Sequence, residues 1–304
     1  MLGKFGGFGG LFAPNFSGMR EPVLVASMDG VGTKLKIAFA MNKHDTVGAD
    51  LVNHCVNDIA VLGARPLFFL DYLGCEKLEP RVFQQLLRGF SRACRSAGCS
   101  LLGGETAQMP GMYRRGEYDI AGCIVGIVDR AKIIDGSKIR PGDVVLGLAS
   151  NGLHTNGYSL ARKILFGKMR LRINSSLTGS TVTVGEELLR VHKNYQPLLR
   201  KAPSGMIKGL AHITGGGLID NLPRTLPKNC DALVETKRWK RPAIFKILRR
   251  NGSVDREEMY QIFNMGIGMV VIVDERDAER VMSILQAKRI GRIERGSGKT
   301  KLSF

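Results

Sequence analysis

The stretch Asp50-Leu-Val-Asn-His-Cys-Val-Asn-Asp-Ile-Ala-Val-Leu62, followed by Gly63-Ala-Arg-Pro66 and the apolar run Leu67-Phe-Phe-Leu-Asp-Tyr-Leu73, decides the fold class of this 304-residue chain. At 100° per residue, Leu51, Val52, Cys55, Val56, Ile59 and Leu62 share one arc and predict the core face of an amphipathic helix. Asp50, Asn53, His54, Asn57 and Asp58 fall opposite, as a carboxylate-rich ridge directed away from that core. Gly63 and Pro66 stop the helix, and residues 67–73 read as an apolar strand with Asp71 inside it.

The same alternation continues outward. Upstream, residues 22–27 form a short β-prone run that ends at the turn Asp29-Gly-Val-Gly-Thr-Lys34, with a helix expected after it. Downstream, residues 80–97 predict a second amphipathic helix, with Val82, Phe83, Leu86, Leu87, Phe90 and Cys94 inward and Gly98 at its end. Residues 117–128 read as another strand. The polar, turn-rich Asp135-Gly-Ser-Lys-Ile-Arg-Pro-Gly-Asp143 marks a domain boundary near residue 136. Beyond it, strands are expected at 144–149, 232–235 and 268–273, and helices at 157–166, 186–199, 217–222, 242–250 and 275–287. Residues 169–184 are expected to be a surface excursion. Two α+β or α/β domains follow, 1–135 and 136–304.

Composition agrees with two globular cores: 44% of the residues are apolar, which argues against intrinsic disorder. The formal charge is +18, and it is uneven. Residues 1–135 hold 15 basic and 13 acidic side chains, whereas 136–304 hold 30 and 14. No apolar run approaches the roughly 20 residues that a membrane span requires. Glycines interrupt the first ten residues where a secretory signal needs a continuous apolar core, so a cytoplasmic location is expected. Six scattered cysteines without a C-x-x-C pair indicate free thiols rather than zinc or disulfides.

Four clusters could carry chemistry, and each has a plainer structural reading. In Asp29–Lys34, Gly30 and Gly32 would let backbone N–H groups approach an anion, and Lys34 adds a positive charge. The carboxylates of Asp29, Asp50 and Asp58, with Asn57, could hold Mg²⁺ through oxygen. Alternatively, Asp29 caps a helix and the ridge is only a solvated face. Gly103-Gly-Glu-Thr-Ala107, leading into Met109-Pro-Gly-Met-Tyr113, reads as a strand end and a long irregular loop, a setting for ligand contacts or a mere connection. In Ser150-Asn-Gly-Leu-His-Thr-Asn-Gly-Tyr158, His154 and Asn156 could meet a base or phosphate, or Asn156 could be an N-cap beside an exposed His154. His212-Ile-Thr-Gly-Gly-Gly217 is either a phosphate cradle or an ordinary turn.

Gly296-Ser-Gly-Lys-Thr300 imitates the end of a P-loop, but the pattern needs glycine at position 293, which is Ile293. It reads as a basic tail. The basic stretches 237–242 and 288–301 offer only Trp239 for stacking, so a solvated surface is favoured over nucleic-acid binding. Membrane attachment has no support either.

Taken in order, Gly6-Gly-Phe-Gly-Gly10, Asp29–Lys34, Cys55-Val-Asn-Asp58, Pro66-Leu-Phe-Phe-Leu-Asp-Tyr72, Gly103–Ala107, Met109–Tyr113, Ile134-Asp-Gly-Ser137, His154-Thr-Asn-Gly-Tyr-Ser159 and His212–Gly217 resemble the phosphoribosylformylglycinamidine cyclo-ligases, also called aminoimidazole ribonucleotide synthetases. Glu258-Met-Tyr-Gln-Ile-Phe-Asn-Met-Gly-Ile-Gly268 extends the resemblance. It implies ATP-dependent cyclisation of formylglycinamidine ribonucleotide to aminoimidazole ribonucleotide, with ADP and phosphate released. It also implies a homodimer in which N-terminal sheets pair into a barrel, beside a C-terminal mixed-sheet domain flanked by helices. Carried onto this chain, Asp29, Asp50, Asn57 and Asp58 are the metal candidates, with Mg²⁺ as the ion. Asp29, Gly30, Gly32, Lys34, His154 and Asn156 would hold ATP. Glu105, Thr106 and Asp58 would be catalytic, and Gly103, Gly104, Gly215, Gly216 and Gly217 would bind substrate. Such proteins usually carry a further N-terminal segment, so an upstream segment is expected to be absent here. The alternatives are a related synthetase or kinase of the same fold, or an inactive truncated paralogue that binds phosphate ligands or RNA.

Overall fold

The computed structural model describes residues 8–177 and 181–304, so Gly6 and Gly7 of the glycine-rich start and residues 178–180 of the excursion lie outside it. The chain divides into two compact units, Met1–Ile133 with Val191–Gln196, and Ile134–Arg190 with Pro197–Phe304. None of the helices among the described residues is long and apolar enough to cross a membrane.

In the first unit, β1 (Pro22–Gly30), β2 (Arg65–Cys75), β3 (Ser100–Gln108) and β4 (Tyr118–Asp129) form one sheet in the order β1-β4-β2-β3. Only β2 and β3 run parallel, and the helix between them is the crossover that such a pair requires. One face is covered by α2 (Asp45–Ala60) and α3 (Pro80–Ala97), which follow the short α1 (Leu35–Met41). The α2 core positions Leu51, Val52, Cys55, Val56 and Ile59 are buried against Phe69, Ile120 and Ile124 of the sheet. Gly48 and Gly89 make the α2–α3 crossing possible, because a side-chain carbon at Gly48 would stand 2.6 Å from the Leu86 carbonyl oxygen. Pro80 starts α3, and Gly98 ends it at φ 67°, as the sequence predicts. The other face of the sheet stays open: Leu24 and Met28 are 64% and 68% exposed.

The second unit is built on a six-stranded mixed sheet. Its strands are β5 (Val144–Ala149), β6 (Ile207–His212), β7 (Cys230–Glu235), β8 (Ile267–Val273), β9 (Lys288–Arg295) and β10 (Thr300–Ser303), in the order β10-β7-β9-β5-β8-β6. All pairs are antiparallel except β10 with β7. Around it lie α4 (Tyr158–Arg162), α5 (Val184–Leu188), α6 (Gln196–Leu199), α7 (Gly217–Asn221), α8 (Ala243–Gly252), α9 (Arg256–Ile262) and α10 (Glu275–Leu285). Two neighbouring interior strands, β5 and β8, are buried from end to end apart from Ala149, which is why they read as continuous apolar runs. All six cysteines are free thiols.

Several expectations are corrected. Asp29 and Gly30 end strand β1 rather than opening a helix, and no side-chain cap comes from Asp29. The glycine pair Gly103-Gly104 lies inside β3, which runs on to Gln108, so the irregular loop begins later than its composition suggests. The predicted helix 186–199 is broken into α5 and α6 by an extended segment that joins the first unit. The basic tail is not a tail. Its turn wraps the buried Asp231, whose Oδ1 accepts from the backbone N–H groups of Ser297 (2.7 Å) and Lys299 (2.9 Å), while Oδ2 meets Lys301 Nζ at 2.7 Å. The P-loop look-alike therefore cradles an anion of its own chain. These bonds hold the Asp231 carboxyl far below the usual range.

Candidate active site

The ridge of α2 is not a wet face. Asp50 and Asn57 are fully buried and His54 is 3% exposed, because Val191–Gln196 lies over them. Its backbone and side chains satisfy the ridge one group at a time. His192 N–H donates to Asp50 Oδ1 at 2.6 Å, and Tyr195 N–H donates to Asn57 Oδ1 at 2.9 Å. The amide nitrogen of Asn57 donates to the Lys193 carbonyl at 2.9 Å, and that of Asn53 to the His192 carbonyl at 2.7 Å. Periodicity sorts side chains by face but cannot see that a distant polar segment will cover one.

Lys34 Nζ lies 2.7 Å from Asp50 Oδ2, with both side chains at 0% exposure. Burial pulls the Lys34 pKa down and the Asp50 pKa up, and each is partly restored by the other. These two residues, with Asn57, are thereby committed to one another and to the covering segment. All three are buried, and Asp50 and Asn57 are not on the solvated face that their helical spacing suggests.

Asp29 and Asp58 stand differently. Asp29 Oδ2 lies 2.8 Å from His54 Nε2 and keeps 39% of its side chain exposed, while the half-buried Asp58 accepts from Ser27 Oγ at 3.1 Å. Burial alone would depress the His54 pKa, but the hydrogen bond to Asp29 and the charges of Asp58, Asp29 and Asp50 outweigh it and raise it. The structure thus gathers Asp29 and Asp58 around the His54 imidazole, with two hard oxygen donors reaching water. Such a donor set fits a magnesium ion that keeps several waters.

Glu105 and Thr106 are not gathered with them. They lie on β3, at the sheet edge opposite β1, about 14 Å away at the ordinary strand spacing. The row Asp29, Gly122, Asp71, Gly104 crosses the sheet at one register on the helix-covered face, so Glu105, one residue on, belongs to the open face. Its carboxylate accepts from the Thr106 N–H at 2.7 Å. A side chain at Gly104 would overlap the Asp71 carbonyl, whereas Gly103 has open space around it. Burial lifts the Asp71 carboxyl to about 6.

In the second unit, the loop before α4 and the glycine loop before α7 meet: a carbon added at Gly215 would come 3.3 Å from Asn156 Oδ1. Asn156 caps nothing, since Gly157 at φ 77° occupies the N-cap of α4. His154 is 1% exposed, not a surface side chain, and holds φ 62°. The Tyr158 hydroxyl, 3.1 Å from the His154 carbonyl, pins that backbone. Gly216 and Gly217 both adopt positive φ, and a side chain at Gly217 would overlap the Tyr260 carbonyl. Two supports escape sequence reasoning. The buried Asn221 donates to the carbonyls of Gly215 (3.0 Å) and Gly217 (2.8 Å), and the buried Asn264 donates to that of Gly152 at 2.9 Å. Their signal, a polar side chain within an apolar pattern, is visible only once burial is known.

Residues 19–128 match the family described as AIR synthase related protein, N-terminal domain, and residues 140–301 match its C-terminal domain. The phosphoribosylformylglycinamidine cyclo-ligase of Syntrophotalea carbinolica is 55% identical over 93% of this chain and 81% of its own length. That of Trichlorobacter lovleyi is 52% identical over 97% and 86%, and that of Bacillus thuringiensis 50% over 99% and 88%. Among solved structures, thiamine-monophosphate kinase from Stenotrophomonas maltophilia superimposes with a TM-score of 0.69 at 16% identity, covering 99% of this chain and 90% of that one. Hydrogenase maturation protein HypE in complex with ATP gives 0.69 at 19% identity, covering 95% and 84%. These two show a shared fold.

Proposed function

From the fact that this chain belongs to the AIR synthase related family, alongside its phosphoribosylformylglycinamidine cyclo-ligases, we infer how its residues serve the ATP-dependent closure of formylglycinamidine ribonucleotide to aminoimidazole ribonucleotide. The activity is that of a carbon–nitrogen ligase of purine biosynthesis. ATP phosphorylates the formamide oxygen, which turns a poor leaving group into phosphate. The amidine nitrogen then attacks that carbon, the ring closes, and ADP and phosphate depart.

The pairing of Asp29 and Asp58 about His54 carries our assignment of the phosphoryl-transfer end. Magnesium, when bound by these two carboxylates, would offset the charge that develops on the transferred phosphoryl group. His54 holds Asp29 in place through its 2.8 Å bond, and Ser27 holds Asp58. Lys34, Asp50 and Asn57 fix the pitch of α2, and with it the directions of His54 and Asp58, by tying the helix to Val191–Gln196. Gly30 and Gly32 keep the chain after β1 slim enough for nucleotide to approach. Asn156 and the loop carrying His154 would contact nucleotide. The Gly215–Gly217 loop, set by Asn221, would receive the substrate phosphate on backbone N–H groups.

Glu105 and Gly103, on the open face of the first sheet, we assign to the substrate, with Thr106 and Gly104 next to them on the same strand. The exposure of Leu24 and Met28 there supports a homodimer joined through this face, since an unpartnered apolar sheet surface is costly in water. The nearly neutral N-terminal half and the basic C-terminal half suit two phosphorylated substrates. Purified protein given formylglycinamidine ribonucleotide and ATP should release ADP in step with ring closure. An Asp58→Asn variant should lose most of that turnover while folding normally. Unchanged turnover would remove Asp58 from the phosphoryl-transfer site.

A further inference from the structure

One half-open hollow takes no part in the chemistry above. It lies in the first unit where β2 ends, β4 begins and α3 starts, has a volume of about 190 Å³, and is lined by Phe39, Asn42, His44, Leu73, Val82 and Phe83 among others. His44 precedes α2, and Asp58 follows it by fourteen residues, about 21 Å along the axis at 1.5 Å per residue. The hollow is therefore remote from the assigned phosphoryl-transfer end.

Its floor is polar and built. His44 is 3% exposed and Tyr118 is 6% exposed, and the two are joined Nδ1 to hydroxyl at 2.9 Å. Burial keeps the Tyr118 phenol protonated and pulls the His44 pKa down, although Asp45 pulls it up slightly. The other ring nitrogen, Nε2, faces Asn42 Oδ1 at 3.3 Å. The exposed Asn42 amide can turn away and offer a donor and an acceptor side by side. The half-buried rings of Phe39 and Phe83 flank the opening. Its charged lining residues are of both signs: Lys77 and Glu79 both line it, and Glu117 is paired with Lys36 at 2.6 Å.

We propose that this hollow is a second ligand site, separate from the ATP and ribonucleotide sites, that takes a small neutral heteroaromatic base of the purine type. A flat ring meets the phenylalanine rings face or edge on. The donor–acceptor pair of an asparagine amide matches the edge of a purine. A volume of about 190 Å³ suits a bare base. A charged ligand would lose hydration without finding a net counter-charge.

Calorimetric titration of the full chain with adenine and with hypoxanthine tests this. Saturable one-to-one binding of either base is expected, and it should persist with a non-hydrolysable ATP analogue present. Asn42→Gly, which keeps the left-handed backbone at φ 47°, should weaken it about tenfold, as should Phe83→Ala. Neither variant should alter the KM for ATP. Three results would overturn the proposal: no saturable binding below about 1 mM, displacement by the ATP analogue, or equal affinity in Asn42→Gly. Should Phe83→Ala fail to fold, Asn42→Gly alone decides.

Discussion

Removing the charge of Asp50 probes how the first unit is held together. Asp50→Asn keeps an oxygen for the His192 N–H but leaves the Lys34 ammonium at 0% exposure without its counter-charge at 2.7 Å. Breaking a buried pair from one side costs about 3–5 kcal/mol, because the surviving charge stays desolvated. In a unit of this size that corresponds to a fall in Tm of roughly 10–15 °C. The loss should depend on pH with a definite sign. Without Asp50, burial holds the Lys34 pKa far below its value in the unfolded chain, so the unfolded state binds more protons and stability rises with pH up to about 10.5. Lys34→Met with Asp50→Asn removes both charges and should recover more than half of the deficit. Urea unfolding of the parent, both single variants and the double variant measures all four corners. A single-variant cost below about 1 kcal/mol, or a double variant as unstable as the sum of the singles, would refute the reasoning.

Three further outcomes are expected. Gly104→Ala should destabilise by about 1–3 kcal/mol, because its Cβ would overlap the Asp71 carbonyl, whereas Gly103→Ala, with open space, should fold like the parent in thermal melts. The His54 imidazole should titrate above its usual pKa by NMR and fall below it in Asp29→Asn. The stability that the parent's pair supplies is present below about pH 6.5 and lost as pH rises through the raised folded value. Asp231→Ala should cost about 3 kcal/mol, since it orphans the Ser297 and Lys299 N–H groups, and in the parent this contribution should begin to decline below about pH 4 and be lost as pH falls through the depressed folded value.

Where local rules had little competition, the sequence sufficed. Residues 80–97 were bounded correctly because proline at the first turn and glycine past the last act within a few residues. Residues 144–149 were bounded correctly because an apolar run between turn formers has one reading. The strand at 288–295 escaped because basic side chains dominate it, although Ile290 and Ile293 are buried and point inward. The strand through Gly103-Gly104 escaped because glycine has low strand propensity. Gly104 is needed because the β2 backbone comes close at Asp71, a reason that resides in β2 and not in β3.

Sequence alone therefore determined the mixed helix and sheet architecture, the family and its chemistry, and the identity of Asp29 and Asp58 as neighbouring candidates. All of these depend on residue type, period and order. Only the tertiary structure decided which polar residues of one helix face meet water and which do not. That division rests on Val191–Gln196, more than 130 residues away in the chain from Asp50–Asn57. Whether a carboxylate there is a ligand or a strut depends on its hydration. Hydration is a property of what packs over a residue, and no local pattern in the chain encodes it.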